Sequence, residues 1–318
     1  MTLSESRSLL TWSSQSIDPQ HRQTQRFPCR DKPNVTLVVF DMDGTLLNKQ
    51  SRISSFTADT LAMMRARNIR YTVATGRTLQ AAVGPLEDHH FVLPMILKNG
   101  AIIWTPDEAR YSHHHLLTRE EMWHALAAFT LNELTPFVFA LHEGHRHALY
   151  HGPLRSRSEE KLAELFEAER SLPLEPLSAL PDEVSVINLF SLGSQKAVDR
   201  VRASISGEPH LVAYSGIAIH EPEMGARSSG DAALHWIDIH HSMGSKGNAI
   251  NHLRTQLDVE HVIAFGDGDN DLSMFECANE RYAPQNADPI ILDAADQVIG
   301  HHDEDGVAHF LRERFELN

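Results

Sequence analysis

Only two cysteines, Cys29 and Cys277, occur in 318 residues. Neither sits in a metal or redox motif, which leaves out a disulfide framework and a thiolate metal site. A reduced, cytoplasmic setting is the simplest expectation. Long apolar runs are missing as well. No stretch approaches the roughly 20 residues of a membrane span, and the N-terminus has no apolar core of the signal-peptide kind. Positive charge is scarce: Lys plus Arg number 28 against 43 Asp plus Glu, a net charge of −15. Such a surface repels nucleic acid and anionic membranes. It also repels phosphorylated metabolites, so an enzyme for those needs a local cation, either a metal or a well-placed lysine. Internal repeats and low-complexity tracts are lacking too.

What is there suits a globular chain with room for two domains, at 42% hydrophobic and 22% charged. Residues 1–34 are polar and aperiodic and read as a flexible extension, with Leu9, Leu10 and Trp12 as its apolar exceptions. Val35–Phe40 is apolar and β-branched, the mark of a buried strand. It runs into Asp41-Met42-Asp43-Gly44-Thr45-Leu46-Leu47, two carboxylates one residue apart followed by a turn. A helix over Ser55–Asn68 follows, then a strand at Arg70–Ala74 ending in Thr75-Gly76-Arg77. A helix from Thr78 leads to a third strand, Pro94–Leu97, stopped by Asn99-Gly100. Strands alternating with helices predict βαβ units and a parallel sheet, and ligands of such sheets bind at the carboxyl ends of the strands.

Near residue 116 the pattern changes. Thr118-Arg119-Glu120-Glu121 has the spacing of a capping box. Two strand-like runs, Pro136–Leu141 and His147–Tyr150, follow with a turn between them. Then come a helix over Ser156–Glu169, the run Val184–Ser191, a helix over Ser194–Ser206 and a strand near Leu211. This order predicts an α+β domain over 116–234, inserted between the two halves (35–115 and 235–318) of an α/β core. His220–Gly230 reads as a loop. The α/β pattern resumes at Leu234–Ile239. Gly244-Ser245-Lys246-Gly247 opens a helix to Leu257, and the strand His261–Phe265 ends in Gly266-Asp267-Gly268-Asp269-Asn270-Asp271.

Parallel pairing would gather Asp41/Asp43, Thr75-Gly76, Lys246 and Asp267/Asn270/Asp271 at one edge. Carboxylates with few other ligands suit Mg²⁺, which keeps waters and accepts a substrate phosphate. Lys246, Thr75 and backbone amides suit phosphoryl oxygens. An Asp beside such a metal is a competent nucleophile for phosphorus. Thr45 orders the turn, Arg77 either braces the strand end or touches substrate, Asp269 is solvated, and Asp303 and Asp305 cap helix starts.

The ordered set D-M-D-G-T-L-L (41–47), A-T-G-R (74–77), S-K-G (245–247) and G-D-G-D-N-D (266–271) resembles the haloacid dehalogenase superfamily of phosphatases. N-A (286–287), A-A-D (294–296) and D-E-D-G-V-A (303–308) are similar to its Cof-type branch. The resemblance implies a Rossmann-like parallel core with an inserted α+β cap, and a Mg²⁺-dependent phosphatase of small phosphorylated metabolites. It implies that Asp41 is the nucleophile and Asp43 the acid/base. Asp41, the Asp43 carbonyl and Asp267 would hold the metal, with Asp271 supporting it. Met42 (through its amide), Thr75, Gly76, Lys246 and Asn270 would bind the phosphoryl group. Hinges would lie near 112–118 and 230–236. The alternatives are a phosphomutase or phosphotransferase with the same intermediate, or a non-catalytic binder of phosphorylated metabolites. A monomer or homodimer is expected.

The 21 histidines fall partly in clusters: His113–His115, His142/His145/His147, His240-His241 and His301-His302. They read mainly as solvated side chains in loops and strand edges, with Arg146 and His142, His145 and His147 as possible substrate contacts in the insert.

Overall fold

The computed structural model describes residues 35–113, 115–142, 146–170, 173–219 and 234–317. All of them lie in one compact unit, Asp31–Asn318. The expectations for residues 1–34, Cys29, His114, His145 and the stretch 220–230 fall outside the described residues.

Five parallel strands form the first sheet: β1 (Thr36–Phe40), β2 (Arg70–Val73), β12 (His261–Phe265), β13 (Glu280–Pro284) and β14 (Gln297–Ile299), in the order β14-β13-β12-β1-β2. All five residues of β1 are buried, as a strand covered on both faces requires. Alternate side chains serve opposite faces. Leu37, Val39, Val262 and Ala264 join Ile250 and Leu253 of α6 (Lys246–Gln256) and Phe275 of α7 (Leu272–Cys277). Val38, Phe40, Ile263 and Phe265 join Leu61 and Met64 of α1 (Ser55–Ala66) and Leu311 of α9 (Gly306–Arg314). The sheet is therefore layered between helices, and the α/β expectation holds.

The third expected strand does not extend this sheet as a full member. β3 (Met95–Leu97) touches it through the single parallel bridge Ala74–Ile96. It pairs antiparallel with β4 (Ile102–Thr105), which pairs with β5 (Arg110–His113), in a small three-stranded sheet. The sequence pattern had marked neither β4 nor β5, because Asn99-Gly100 reads as a stop whether or not a hairpin follows.

The second large sheet is mixed and has six strands: β6 (Phe137–His142), β7 (Arg146–His151), β8 (Leu174–Pro176), β9 (Ser185–Gly193), β10 (Leu211–Ile219) and β11 (Leu234–His241), ordered β10-β11-β9-β6-β7-β8. Only β7 and β8 pair parallel. Val138, Ala140, Ile237 and Ile239 face α3 (Arg119–Leu131) and α5 (Gln195–Ile205). Phe137, Phe139 and Ile187 face the other way, with Phe166 of α4 (Arg157–Arg170), in one apolar cluster that continues into the parallel layer. The capping box forms as expected between Thr118 and Glu121.

β11 corrects the sequence reading. It does not resume the parallel sheet; it pairs antiparallel with β9 and β10. A short apolar run cannot distinguish the two settings. The alternation of Ile237 and Ile239 with the buried polar Asp238 and His240 is what a strand facing two different layers shows. The return to the parallel layer therefore comes after His241, and not at 230–236. No helix among the described residues is long and apolar enough to cross a membrane.

Candidate active site

Asp41 follows β1 directly, and its amide donates to the Phe265 carbonyl at 2.8 Å, tying the ends of β1 and β12 together. Its side chain is only 9% exposed. Lys246, the first residue of α6 and fully buried, donates to Asp41 Oδ1 at 2.5 Å and to Asp271 Oδ1 at 2.5 Å. Ser245 sets that position by capping α6 through the Asn248 amide. Asp41, Asp267 and Asp271 each place an oxygen within 4.8 Å of the others. Four ionisable groups from three segments thus converge at the strand ends.

Each carboxylate is held differently. Asp271 is held on both oxygens, since beside Lys246 on one, its second accepts the Asp267 and Gly268 amides at 2.9 and 3.1 Å. Asp267 accepts the Thr45 hydroxyl at 2.7 Å, so Thr45 does more than order its own turn. Burial, then Asp271, raises the Asp267 carboxyl to about 7, with the Thr45 hydrogen bond working against the shift. Burial also raises Asp41, opposed by the Lys246 ammonium. On Lys246 burial favours the neutral amine, but Asp271 and Asp41 outweigh it and hold the ammonium well above the usual lysine range. Gly44 has φ +77°, and a Cβ there would stand 2.2 Å from Asp267 Oδ2. Only glycine fits that turn.

Asp43 stands apart. Its side chain is 56% exposed and is clasped by Arg77, whose Nε and Nη2 donate at 2.7 and 2.5 Å. Met42 is buried in the apolar layer. Thr75 is buried, and its hydroxyl accepts the Arg77 amide at 3.2 Å. Gly76 abuts Asn99: a Cβ there would lie 3.0 Å from its side-chain oxygen. Asn270 Nδ2 donates to that same Asn99 oxygen at 3.0 Å. Asn99 joins the two groups, since its amide donates to the Thr75 carbonyl at 2.9 Å.

Asn99 is a site residue that the sequence reading passed over as a strand stop. Lys98 and Asn99 are buried with φ +49° and +57°, a strained pair of the kind found at functional turns. Asn99 Nδ2 lies 3.4 Å from Asp238 Oδ2 on β11, and Asp238 also accepts from Asn188 at 2.6 Å. Lys98 Nζ rests 3.6 Å above the Phe139 ring. Tyr214 on β10 is pushed up to about 12, first by burial and then by Asp269, with Asp271 adding and Lys246 opposing. The six-stranded sheet therefore turns Asp238, Tyr214 and Asn188 toward the carboxylates. The only sequence signal was polar residues inside an otherwise apolar strand.

Several lesser expectations change. Asp269 is partly buried and raised by that burial, not solvated. Asp305 does not cap its own helix; it accepts the Ser54 and Thr57 hydroxyls at 2.5 and 2.9 Å and so anchors α1. Asp303 accepts the Lys49 amide. His147 is buried against Tyr111, and His142 lies 3.0 Å from the Tyr150 hydroxyl, so neither is a solvated edge residue. His240 is fully buried as well.

The strand ends of the parallel sheet thus gather three carboxylates about one buried lysine. The model of the haloacid dehalogenase-like hydrolases matches residues 38–311, and the chain belongs to that family. It is 27% identical over 290 residues to Phosphatase YwpJ of Bacillus subtilis, covering 87% of this chain and 98% of that protein. It is 27% identical over 298 residues to the 5-amino-6-(5-phospho-D-ribitylamino)uracil phosphatase YwtE of the same organism, covering 86% and 96%. The fold is similar to that of a haloacid dehalogenase-like hydrolase from B. subtilis, with TM-score 0.69, 22% identity and 87% and 98% coverage.

Proposed function

We propose that this enzyme is a divalent-metal-dependent phosphatase that hydrolyses small phosphorylated metabolites through an aspartyl-phosphate on Asp41. One observation carries the reading: Asp41 is buried against Lys246 with Asp267 and Asp271 oxygens within 4.8 Å. Three carboxylates, two buried and one half-buried, exceed the charge of one lysine, and their oxygen-only donor set fits a hard dication such as Mg²⁺. Asp41, Asp267 and the Asp43 carbonyl would hold it, with Asp271 positioning the Asp267 loop. When bound, the ion offsets the repulsion between an anionic nucleophile and an anionic substrate.

The chain's own residues divide the remaining work. Asp41 forms the new bond to phosphorus as the bond to the leaving oxygen breaks, and Asp43 gives that oxygen a proton. Asp43 then takes a proton from the attacking water, and the bond between phosphorus and Asp41 breaks to release inorganic phosphate. Arg77 must let go of Asp43 for either transfer. Lys246, Thr75, Gly76, Asn270 and the Met42 amide receive the phosphoryl oxygens.

The insert, taken as 116–241 with β11 included, acts as a cap that excludes water and meets the leaving group. Asp238 and Tyr214 on its inner face support that assignment. YwtE's named substrate is itself a small phosphorylated molecule, which supports the substrate class. The test is release of inorganic phosphate from an aryl phosphate with Mg²⁺. Activity should vanish with chelator and in Asp41→Asn. Near-normal turnover by Asp41→Asn would sink the mechanism.

A further inference from the structure

A second group of ligand-type side chains lies away from the carboxylates. Glu121, His210 and His241 place one ligand atom each within 4.8 Å of one another. Glu121 Oε1 is 3.7 Å from His241 Nε2, while its other oxygen is committed to the Thr118 amide. The His210 and His115 rings both lie near-parallel to His241, at 5.7 and 5.5 Å between centroids. The backbone here is fixed: Ser242 donates its amide to the His210 carbonyl at 2.8 Å and its hydroxyl to the Pro209 carbonyl at 3.0 Å.

We propose that Glu121, His210 and His241 form a second metal site, for a borderline transition-metal dication of the Zn²⁺ type, with His115 or water completing the shell. Two imidazoles and a carboxylate suit Zn²⁺ and its neighbours, whereas Mg²⁺ prefers oxygen alone. Carboxylate oxygens and imidazole nitrogens bind Zn²⁺ at about 2.0–2.2 Å, so ligand atoms now within 4.8 Å of one another must draw somewhat closer. The exposed side chain of His210 can supply that movement by rotation, while the capping box holds Glu121 in place. One contact must change. His241 Nδ1 accepts the Met243 amide at 3.1 Å, and ligation through Nε2 puts the ring proton on Nδ1. The Met243 amide must then turn away.

The location gives the site its use. His115 lies on the outgoing crossing, between β5 and the Leu117–Val186 bridge that enters the six-stranded sheet. His241 ends β11 on the return crossing, just before the Ser242–Gly244 turn that delivers Ser245 and Lys246. With His115 as the fourth ligand, a metal held there clasps the two crossings and restrains movement between the sheets. That consequence rests on the cap reading above; the metal site itself does not.

The test is titration of the full-length, untagged protein with Co²⁺ in excess Mg²⁺, following visible absorption, with Zn²⁺ as competitor. One equivalent of Co²⁺ should bind and give way to Zn²⁺. His210→Ala and His241→Ala should each weaken it by more than the about 10–100-fold typical of lost outer-shell partners. Asp267→Asn should leave it intact, which separates this site from the carboxylate cluster. Zn²⁺ should also raise the melting temperature of the parent protein but not of His210→Ala, whose exposed position keeps the fold. Co²⁺ binding that ignores both histidine variants, or that is lost in Asp267→Asn alone, overturns the proposal.

Discussion

Lys246 Nζ lies 2.5 Å from Asp41 Oδ1, although 205 residues separate them in the chain. The whole six-stranded sheet is strung between the two. The ammonium is the resident counter-ion of Asp41, whose burial would otherwise leave its charge uncompensated.

Replacing Asp41 with Asn keeps the shape and the acceptor for Lys246 but removes the charged oxygen that the proposed mechanism uses to attack phosphorus. Phosphate release should fall by at least about a thousandfold, equivalent to about 4 kcal/mol of barrier. The variant should still fold, as read by an unchanged circular dichroism spectrum.

Asp267→Asn separates stability from metal binding. Burial and Asp271 make a charged Asp267 unfavourable in the metal-free protein. The amide removes that charge, and its oxygen can still accept from Thr45. Thermal melting without metal should therefore rise, while the increase that Mg²⁺ gives the parent, about 2.7 kcal/mol at a hundred times Kd, should disappear. A metal-free variant that melts below the parent would contradict this account.

Gly44→Ala should damage both. The left-handed backbone alone costs an alanine about 1–2 kcal/mol, and its Cβ would drive Asp267 out of place. We expect a lower melting temperature and a raised Mg²⁺ requirement for turnover, measured in the same preparation.

Glu280 gives a pH prediction far from the site. Burial acts to raise it, but His261 at 2.7 Å, Arg314 and Tyr282 together outweigh burial and lower it to about 2. A carboxyl depressed in the folded state stabilises above its unfolded value, near 4.5, and that stabilisation is lost as pH falls toward 2. Glu280→Gln should thus be clearly less stable than the parent at neutral pH, with the gap closing between about pH 4.5 and 2 in denaturant titrations.

The strand ends were legible because their signals are local. Val35–Phe40 has the composition of a doubly covered strand, Ser54, Thr78, Thr118 and Ser194 are caps, and each expected helix starts within a residue or two of its cap. The gathering of Asp41, Lys246, Asp267 and Asp271 followed from parallel pairing once those strands were placed. What was not legible depends on partners distant in sequence. β11 carries no mark of which sheet it joins. Asn99 looked like a stop because its role comes from Asn270 and Asp238. Asp43 meets Arg77, and Asp305 meets Ser54, through side-chain directions that spacing does not encode.

Asn99 touches three segments at once: its amide donates to the Thr75 carbonyl, its side-chain oxygen accepts from Asn270, and its side-chain nitrogen reaches Asp238. Any swing of β11 away from the parallel layer must first break the longest of these, the 3.4 Å contact with Asp238. The other two would stay with the strand ends. The amide nitrogen left behind becomes a donor with an empty direction, facing whatever has entered between the layers. In the cap reading proposed above, admission of a ligand and release of Asn99 are one event, and a polar acceptor on that ligand can take the place that Asp238 gave up.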